Sequence, residues 1–418
     1  MKKLIIIGGG FAGLKLAREL RNSAFEIWLF DKNNFHQFQP LFYQVATAGL
    51  EPSSISFPLR KAFQAHNKMH VRMADVLKIN TEQNTITTSI GEFAYDQLVL
   101  ANGASTNFFG NSTIEANAIP MKSVNEALYL RNKLLQNFED ALSASPIEKQ
   151  ALLNVVVVGG GPTGVEVSGA LAEMKKYILP KDYPEIDFSK MNIYLIEAGP
   201  KTLGAMSEQA SAKSKEYLLK LGVNVLTSTQ VKNFDGLKVE LGNNEVIPTK
   251  TVVWSAGIKG NSIEGLPIDS VTKGQRILVN RFHLVQGTKN IYAIGDIAAM
   301  KTEKFPNGHP QVATVAIEQA DHLAKHLKTN TNNPYEYSDK GSMATVGRHL
   351  AVVDLPHYKF QGFMAWLFWM FLHLMLILGV KNKLIIFVNW MWKYFTFDQS
   401  LRLIIKPFKK TVHESKSQ

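Results

Sequence analysis

The chain has 418 residues, of which 45% are hydrophobic, a formal net charge of +11 and no cysteine. This length allows two or three domains, each with its own apolar core. The absence of cysteine excludes disulfide reductases that need a redox-active cysteine pair, sulfide oxidation through cysteine persulfides, iron–sulfur clusters and cysteine-based zinc sites.

The first element predicted is a buried strand followed by a glycine fingerprint. The apolar run 4–7 leads into the pattern G-x-G-x-x-G at residues 8–13, which favours a strand, a tight turn and a helix whose N-terminus faces a pyrophosphate. The apolar start of the chain therefore predicts a strand and not a cleaved signal peptide. About 20 residues on, Asp31 ends a second strand, where its carboxylate can accept hydrogen bonds from a ribose; the alternative is a solvated strand end.

A second unit of the same kind follows a predicted helix over residues 121–148. The valine run 155–158 precedes a second fingerprint at residues 159–164, and after an insertion over 177–190 the next strand ends at Glu197. A carboxylate there repels a 2′-phosphate, so we expect NADH rather than NADPH. The nearby cation Lys201 would instead attract a 2′-phosphate and favour NADPH.

Three further segments distinguish the two nucleotides. Residues 290–296, which end in Gly-Asp, resemble the segment by which two-dinucleotide flavoproteins hold the ribityl and phosphate part of FAD, and residues 95–104 and 251–257 resemble their other markers. We therefore predict FAD in the first unit and NADH in the second. The predicted FAD-binding residues are Gly8, Gly10, Phe11, Ala12, Gly13, Asp31, Ala101, Gly103, Gly295 and Asp296. The predicted NADH-binding residues are Gly159, Gly161, Thr163, Gly164, Glu197, Ala256 and Gly257.

The C-terminal part predicts attachment to a membrane. Residues 360–380 contain no Asp, Glu, Lys or Arg and would span about 30 Å as one helix; a second aromatic-rich stretch, 384–395, and a basic tail with Arg402, Lys406, Lys409 and Lys410 follow. We favour paired helices embedded in one leaflet over one transmembrane helix or a buried dimer core. The positive charge suits an anionic leaflet, and no nucleic-acid-binding fold competes for it.

The predicted fold is thus α/β, with two Rossmann-like dinucleotide-binding domains and a C-terminal membrane-anchoring helical region. The predicted domains are an FAD domain at 1–114 and 291–329, an NADH domain at 119–287, and a membrane-attachment and dimerisation region at 335–418. The eleven histidines are scattered, and the i, i+4 pair at 322 and 326 lacks a carboxylate partner, so no metal is predicted.

The whole chain resembles the type II NADH:quinone oxidoreductase, or alternative NADH dehydrogenase, family. The resemblance rests most specifically on residues 34–49, 159–166 and 341–348. It implies electron transfer from NADH through non-covalent FAD to a membrane quinone, either menaquinone or ubiquinone, without proton pumping. It also implies a homodimer attached to one membrane face. The positive charge of the tail suits an anionic cytoplasmic leaflet, so we expect the cytoplasmic face of the cell membrane.

Two family positions bear on catalysis. The resemblance assigns Glu166 to a place between flavin and quinone, where it would deliver protons; the alternative is a capping or salt-bridging residue in a first helical turn. Residues 309–319 align with the quinone motif, but Thr314 and Glu318 replace its usual glutamines. The predicted quinone-site residues are Gln311, Thr314, Ala316, Glu318 and Gln319, and the alternative is that they only brace the helix.

Two other functions stay open from the sequence. The altered residues Thr314 and Glu318 leave room for an NADH-dependent flavin reductase or oxidase with a non-quinone acceptor. A flavin-loaded membrane module that senses NADH with negligible turnover is the third possibility.

Overall fold

The computed structural model describes residues 1–329, 331–399 and 401–405. The α-helices in these residues are α1 (Phe11–Leu20), α2 (Phe42–Ala46), α3 (Leu59–Ala62), α4 (Ser112–Asn117), α5 (Val124–Ser143), α6 (Pro146–Leu153), α7 (Pro162–Tyr177), α8 (Leu179–Asp182), α9 (Glu208–Lys220), α10 (Ala313–Thr329), α11 (Phe363–Leu376) and α12 (Val380–Thr396). Short 3₁₀ turns lie at Gln39–Leu41, Pro52–Ser54, Phe188–Lys190, Ile268–Ser270 and Gly295–Ile297.

The strands of the described residues are β1 (Lys3–Ile7), β2 (Glu26–Asp31), β3 (Phe35–Gln37), β4 (Ser56–Pro58), β5 (Met69–Met73), β6 (Val76–Asn80), β7 (Thr85–Thr88), β8 (Gly91–Ala94), β9 (Gln97–Leu100), β10 (Ala104–Thr106), β11 (Ile119–Pro120), β12 (Val155–Val158), β13 (Ile193–Ile196), β14 (Val223–Leu226), β15 (Val231–Phe234), β16 (Lys238–Leu241), β17 (Val246–Pro248), β18 (Thr251–Trp254), β19 (Ile258–Gly260), β20 (Ile277–Val279), β21 (Ile291–Ala293), β22 (Ala298–Met300), β23 (Ser342–Gly347), β24 (Leu350–Asp354) and β25 (Lys359–Gln361).

Two parallel sheets with matching strand orders form the centre of the molecule. The first has the order β21-β9-β1-β2-β5 and the second the order β11-β18-β12-β13-β14. Their central strands are continuous β-branched runs because both faces of each sheet are covered; Ile5 and Val156, for example, are fully buried. In each sheet the fingerprint turn leaves the first strand and enters a helix, α1 or α7. The prediction of two Rossmann-like units is confirmed.

The packing differs from the predicted boundaries in the middle of the chain. Ile277, Val279 and Val285 pack in the same core as Ile5 on the first sheet. This packing supports a return of the chain to the first domain before residue 277, earlier than the predicted residue 291.

The helix predicted over 121–148 is two helices, α5 and α6. Ala144 between them is extended, with ψ of 153°, and Ser145 caps α6 by accepting a hydrogen bond from the amide of Glu148. The break follows from Pro146, which disfavours helical geometry in the residue before it and has no N–H to continue a helix.

The C-terminal region consists of the antiparallel sheet β23-β24-β25 followed by α11 and α12. The stretch 360–380 does not form one continuous helix. The helix α11 begins after Gly362, which takes φ of 80°, and ends after 14 residues, about 21 Å, where Ile377 is extended with ψ of 140°; α12 begins after Gly379, which takes φ of 83°. The favoured pair of helices is thus present, and its insertion into one leaflet stays a prediction. No helix within the described ranges is both long and apolar enough to cross a membrane.

Candidate active site

The first fingerprint has the backbone geometry of a phosphate cradle. Gly8 takes φ of +105°, and a Cβ on Gly13 would lie 1.8 Å from the carbonyl oxygen of Gly8, so helix and strand approach too closely for any side chain. A Cβ on Gly10 would meet nothing within 4 Å. The backbone of Gly10 is therefore open toward the cavity that it lines, at the N-terminus of α1.

That cavity measures about 600 Å³ and runs along the carboxyl edge of the first sheet. Asp31 lines it, and its carboxylate accepts hydrogen bonds from the amides of Gly9 at 2.6 Å and Asn33 at 2.7 Å. Burial raises the pKa of Asp31, and these two amides oppose the shift. The predicted residues that line this cavity are Gly8, Gly10, Asp31, Ala101, Gly103 and Asp296.

Other predicted residues of this site pack behind the residues that line the cavity. Gly295 takes φ of +75°, and a Cβ built on it would lie 3.1 Å from the Cβ of Ala12. The turn before Asp296 therefore packs directly on α1. The ring of Phe11 packs edge-on against the buried ring of His36, whose Nδ1 lies 2.9 Å from the carbonyl oxygen of Gly9.

Most other lining residues were not predicted from the sequence, among them Lys122 and Gln39. The ammonium group of Lys122 lies 3.7 Å from the carboxylate of Asp296 and 3.5 Å from Oε1 of Gln39. Lys122 lies between the two domains, outside any motif, so no local pattern announces it. These groups fit FAD: an open glycine turn for the pyrophosphate, carboxylates for the hydroxyls of its sugar and ribityl chain, and a cavity of the size that cofactors occupy.

The second fingerprint repeats the geometry of the first. Gly159 takes φ of +108°, a Cβ on Gly164 would lie 1.9 Å from the carbonyl oxygen of Gly159, and a Cβ on Gly161 would meet nothing within 4 Å. Glu197 occupies the place of Asp31: its carboxylate accepts hydrogen bonds from the amides of Gly160 at 2.5 Å and Gly199 at 2.6 Å.

The other predicted NADH residues surround this turn. Thr163 is exposed in the first turn of α7, and the carbonyl oxygen of Ala256 accepts a 3.0 Å hydrogen bond from Trp254. Gly257 is exposed with φ of +73°, and a Cβ there would lie 2.6 Å from the ring of Phe109. Lys201 forms an ion pair with Glu208 at the start of α9. Because its ammonium group pairs with this carboxylate, it is less available to bind a 2′-phosphate.

Glu166 is buried between α7 and the C-terminal sheet. A Cβ on Gly169, one turn further along α7, would lie 1.5 Å from the carbonyl oxygen of Val346, so glycine there lets β23 approach the helix. The amide of Thr345 donates to the carboxylate of Glu166 at 3.4 Å. Burial raises the pKa of Glu166 to about 8, and the Thr345 amide opposes that shift.

The capping and salt-bridging alternatives for Glu166 are wrong. The first turn of α7 contains no acidic residue, and among the residues described no Lys, Arg or His nitrogen forms an ion pair with this carboxylate. A carboxyl group that is buried, without a cation and close to neutral in pKa is typical of a proton donor.

A second, smaller cavity of about 60 Å³ adjoins Glu166. Its aromatic wall comes from the C-terminal helices, with Trp366 and Trp369 on α11 and Trp390 on α12. The other polar lining residues are Tyr43, Gln44, Glu166, Glu173, Thr345, Arg348, Lys393 and Tyr394. None of them except Glu166 was predicted, because they come from four separate parts of the chain.

The predicted quinone motif lies elsewhere. None of its five residues lines either cavity described above. Oε1 of Gln319 accepts a 2.7 Å hydrogen bond from the amide of Gly295, and Nε2 of Gln311 donates to the carbonyl oxygen of Asp296 at 2.9 Å. Both glutamines therefore brace the turn that carries Asp296, and their contact with a quinone stays a prediction.

The other three motif residues also have local partners. The Glu318 carboxylate pairs with Lys340 at 2.6 Å and accepts a 3.3 Å hydrogen bond from the hydroxyl of Tyr335. The side chain of Thr314 lies near the hydroxyl of Tyr337. Ala316 faces the turn at Gly295, where a Cβ on the glycine would lie 3.5 Å from its own. The substitutions at 314 and 318 thus coincide with contacts to the segment that leads to the C-terminal sheet.

Fold and site together define a two-domain flavoprotein that binds a nicotinamide dinucleotide. Residues 2–320 match the family model described as pyridine nucleotide-disulphide oxidoreductase, and residues 340–397 match the NDH2 C-terminal domain. The chain is 34% identical over 408 residues to a type II NADH:quinone oxidoreductase of Mycobacterium tuberculosis, which covers 93% of this chain and 87% of the relative. The protein belongs to the type II NADH:quinone oxidoreductase family.

Further relatives agree with this assignment. A type II NADH:quinone oxidoreductase of Staphylococcus haemolyticus is 27% identical, covering 83% of this chain and 88% of the relative. The structure of NDH2 from Plasmodium falciparum in complex with NADH superposes with a TM-score of 0.87, at 22% identity, over 97% of this chain and 100% of that one. At that identity the structural likeness concerns the fold alone.

Proposed function

We propose that the protein oxidises NADH through bound FAD and passes the electrons to a quinone that binds beside Glu166. The observation that carries this proposal is a buried carboxyl group, that of Glu166, which follows the second glycine fingerprint on α7 and lines a cavity walled by the C-terminal helices. Glu166 is the residue that we assign to catalysis.

The residues around the large cavity suit a flavin that is held without a covalent bond. Gly10 and the N-terminus of α1 would hold the pyrophosphate, Asp31 the ribose, and Asp296 with Lys122 the ribityl chain. When bound there, FAD supplies the acceptance of a hydride from NADH and the return of two electrons to an acceptor.

Glu166 supports proton delivery to a quinone. Reduction of a quinone to a quinol takes two electrons and two protons, and a group with a pKa of about 8 carries its proton at pH 7. Because the carboxyl lines the small cavity and forms no ion pair in the described chain, its proton is available to an oxygen atom bound there.

One short stretch of chain joins the two cavities. Gln37 and Gln39 line the large cavity, and Tyr43 and Gln44, at the start of α2, line the small one. Residues only four positions apart in sequence, Gln39 and Tyr43, therefore line the two cavities, which supports direct electron transfer from a flavin in one to a quinone in the other.

The C-terminal helices support attachment to a lipid surface. Within the part of the chain that the structure describes, 30 large hydrophobic residues are exposed, and 16 of them lie between residues 363 and 405, including Phe371, Val380, Leu384 and Val388. An apolar surface of this extent on one side of a protein marks a contact surface, and exposed Lys381 at the start of α12 suits anionic headgroups. We propose the cytoplasmic face of the membrane, because the positive charge of the C-terminal tail suits an anionic cytoplasmic leaflet; Lys406, Lys409 and Lys410 of that tail lie outside the described residues.

The homodimer implied by the family resemblance is part of the same proposal. Light scattering of the protein in mild detergent tests it, with a protein mass near twice 46.7 kDa as the expected value. A protein mass near 46.7 kDa contradicts it.

The membrane proposal is tested by vesicle flotation. Leu384→Glu combined with Val388→Glu places two charges on the exposed face of α12, and we expect loss of flotation with vesicles of phosphatidylglycerol and phosphatidylcholine. Ile268→Glu is the matched control because Ile268 is 90% exposed in a 3₁₀ turn far along the chain from α12. Equal flotation of all variants contradicts the proposal.

The enzymatic proposal is tested by anaerobic stopped-flow absorbance of the FAD-replete protein. One equivalent of NADH should bleach the flavin, and mixing with a menaquinone or ubiquinone analogue should restore its absorbance. A flavin that is reduced by NADH but reoxidised faster by oxygen or ferricyanide than by any quinone refutes quinone as the acceptor. A reduced flavin that no acceptor discharges supports the NADH-sensing alternative.

A further inference from the structure

A buried chain of hydrogen bonds connects the C-terminal helices to the small cavity. Nε1 of Trp390 on α12 donates to Oε1 of Gln44 at 2.8 Å, and Nε2 of Gln44 donates to the hydroxyl oxygen of Tyr43 at 2.8 Å. All three side chains are at least nine-tenths buried and line the cavity beside Glu166. Gln44 and Trp390 are 346 residues apart in sequence.

The chemistry of the first member fixes the direction of every bond in the chain. An indole N–H is only a donor, so the Gln44 oxygen must face Trp390 and the Gln44 amide nitrogen must face Tyr43. The amide nitrogen is itself only a donor, so the hydroxyl oxygen of Tyr43 accepts from it. The hydroxyl proton of Tyr43 is consequently not used by Gln44.

We propose that Tyr43 donates this proton as a hydrogen bond to a carbonyl oxygen of the bound quinone, and that Gln44 and Trp390 are positioning residues that keep it pointed into the cavity. The inference rests on the proposed quinone site beside Glu166. It assigns a second polar contact to the acceptor, next to the carboxyl that supplies a proton.

The surroundings of Tyr43 keep its hydroxyl group protonated. Burial, and after it the nearby Glu166 carboxyl, raise the pKa of Tyr43 well above its usual range, so the hydroxyl stays protonated throughout the neutral range. The other charged groups at the cavity are Glu173, Arg348 and Lys393, of which Glu173 and Lys393 pair with each other at 3.5 Å.

The orientation argument gives Trp390 a measurable role. Without the indole donor, the Gln44 amide can rotate by 180° and present its oxygen to Tyr43. The Tyr43 proton then binds Gln44 and is lost to the quinone. Trp390→Phe should therefore mimic Tyr43→Phe although residue 43 is unchanged.

The test compares the two half-reactions in the FAD-replete, full-length enzyme. Tyr43→Phe and Trp390→Phe should each raise the KM for a short-chain quinone about three- to tenfold, the value of one hydrogen bond, with kcat much less affected. Their combination should raise it no further. Reduction of the flavin by NADH should be unchanged, and so should reoxidation by ferricyanide, which has no quinone carbonyl to accept this bond.

Tyr358→Phe is the matched control, since it removes the same hydroxyl group from a tyrosine that is 72% exposed. Gln44→Glu provides a second variant if Trp390→Phe does not fold: its carboxylate accepts from both neighbours, captures the Tyr43 proton and should raise the KM equally. An unchanged KM in Tyr43→Phe, or additive effects of the two single variants, overturns the inference. A wild-type flavin that no quinone reoxidises overturns the proposed function first, and this inference with it.

Discussion

Replacing Glu166 by glutamine should stabilise the protein at alkaline pH and leave its stability at acid pH nearly unchanged. Glutamine keeps the shape of a protonated glutamate and an oxygen that can accept from the Thr345 amide, 3.4 Å away in the native structure. The substitution removes only the titration. Any pH-dependent difference from the native enzyme therefore measures the ionisation of this one buried group.

The sign follows from the raised pKa. The pKa of Glu166 is about 8 in the folded protein and about 4.5 in the unfolded chain, so between these values the unfolded chain loses a proton that the folded protein keeps. The contribution of Glu166 to the free energy of unfolding is therefore fully present below pH 4.5 and is lost as the pH rises toward 8. At about 1.4 kcal/mol per unit, the full difference amounts to about 5 kcal/mol in the free energy of unfolding.

The assay is chemical denaturation of the native enzyme and of Glu166→Gln at pH 5 and pH 8.5, with the flavin present at saturating concentration. We expect the free energy of unfolding of Glu166→Gln, relative to that of the native enzyme, to rise by several kcal/mol from pH 5 to pH 8.5. Glu185→Gln is the control, because it makes the same exchange at an exposed position. A difference between native enzyme and Glu166→Gln that is the same at both pH values refutes the assignment of a neutral, buried carboxyl.

The same variant tests the catalytic role. If Glu166 supplies the proton, quinone reoxidation by the native enzyme should slow as the pH rises through about 8, and Glu166→Gln should be slow at all pH values and lack this limb. General acid catalysis typically contributes a factor of about 100 to 10,000. A limb near pH 8 that survives in the variant assigns the proton donor to another group.

Three further predictions concern other parts of the molecule. Gly164→Ala should abolish reduction by NADH while FAD stays bound, because the new Cβ would lie 1.9 Å from a backbone oxygen; flavin absorbance and NADH titration measure this. Glu208→Gln should free Lys201 and raise kcat/KM for NADPH several-fold, and combining it with Lys201→Gln should cancel the gain. Burial lowers the pKa of both His283 and His322, so the free energy of unfolding should fall below pH 6.5 by up to about 1.4 kcal/mol per unit for each; His283→Asn should reduce that slope in denaturation curves at pH 4.5 to 6.5.

The parts of the site that the sequence could predict are those encoded locally. A fingerprint such as 8–13 contains within six residues the turn, the close contact and the helix start that it needs, so Gly10 and Gly13 have their expected positions. Asp31 and Glu197 were predictable for a related reason. Each ends the strand beside its fingerprint and binds the amide of the second glycine in the turn.

The small cavity could not be predicted because its walls come from distant segments. Glu166 was found by family resemblance, but its burial depends on Gly169, which admits β23 against α7, and no pattern within α7 shows which strand will arrive. Tyr43 and Trp390 meet only in the folded chain. Likewise, apolar composition over 360–380 indicates a helix, whereas the backbone at Gly362, with positive φ, and at Ile377, which is extended, decides where that helix begins and ends.

Different elements line most of each cavity, so that reduction of the flavin by NADH and its reoxidation by quinone can be changed separately. The large cavity belongs to the first sheet, and the small one to α7, β23 and the C-terminal helices; the stretch 37–44 contributes to both. A change at Trp390 can thus reach the quinone side through Gln44 without touching the cradle at Gly10. Since α12 also carries the exposed apolar residue Leu384, the helix that we propose to contact lipid is also the one that would orient the proposed acceptor site. Lipid composition should therefore alter quinone reoxidation more than flavin reduction by NADH.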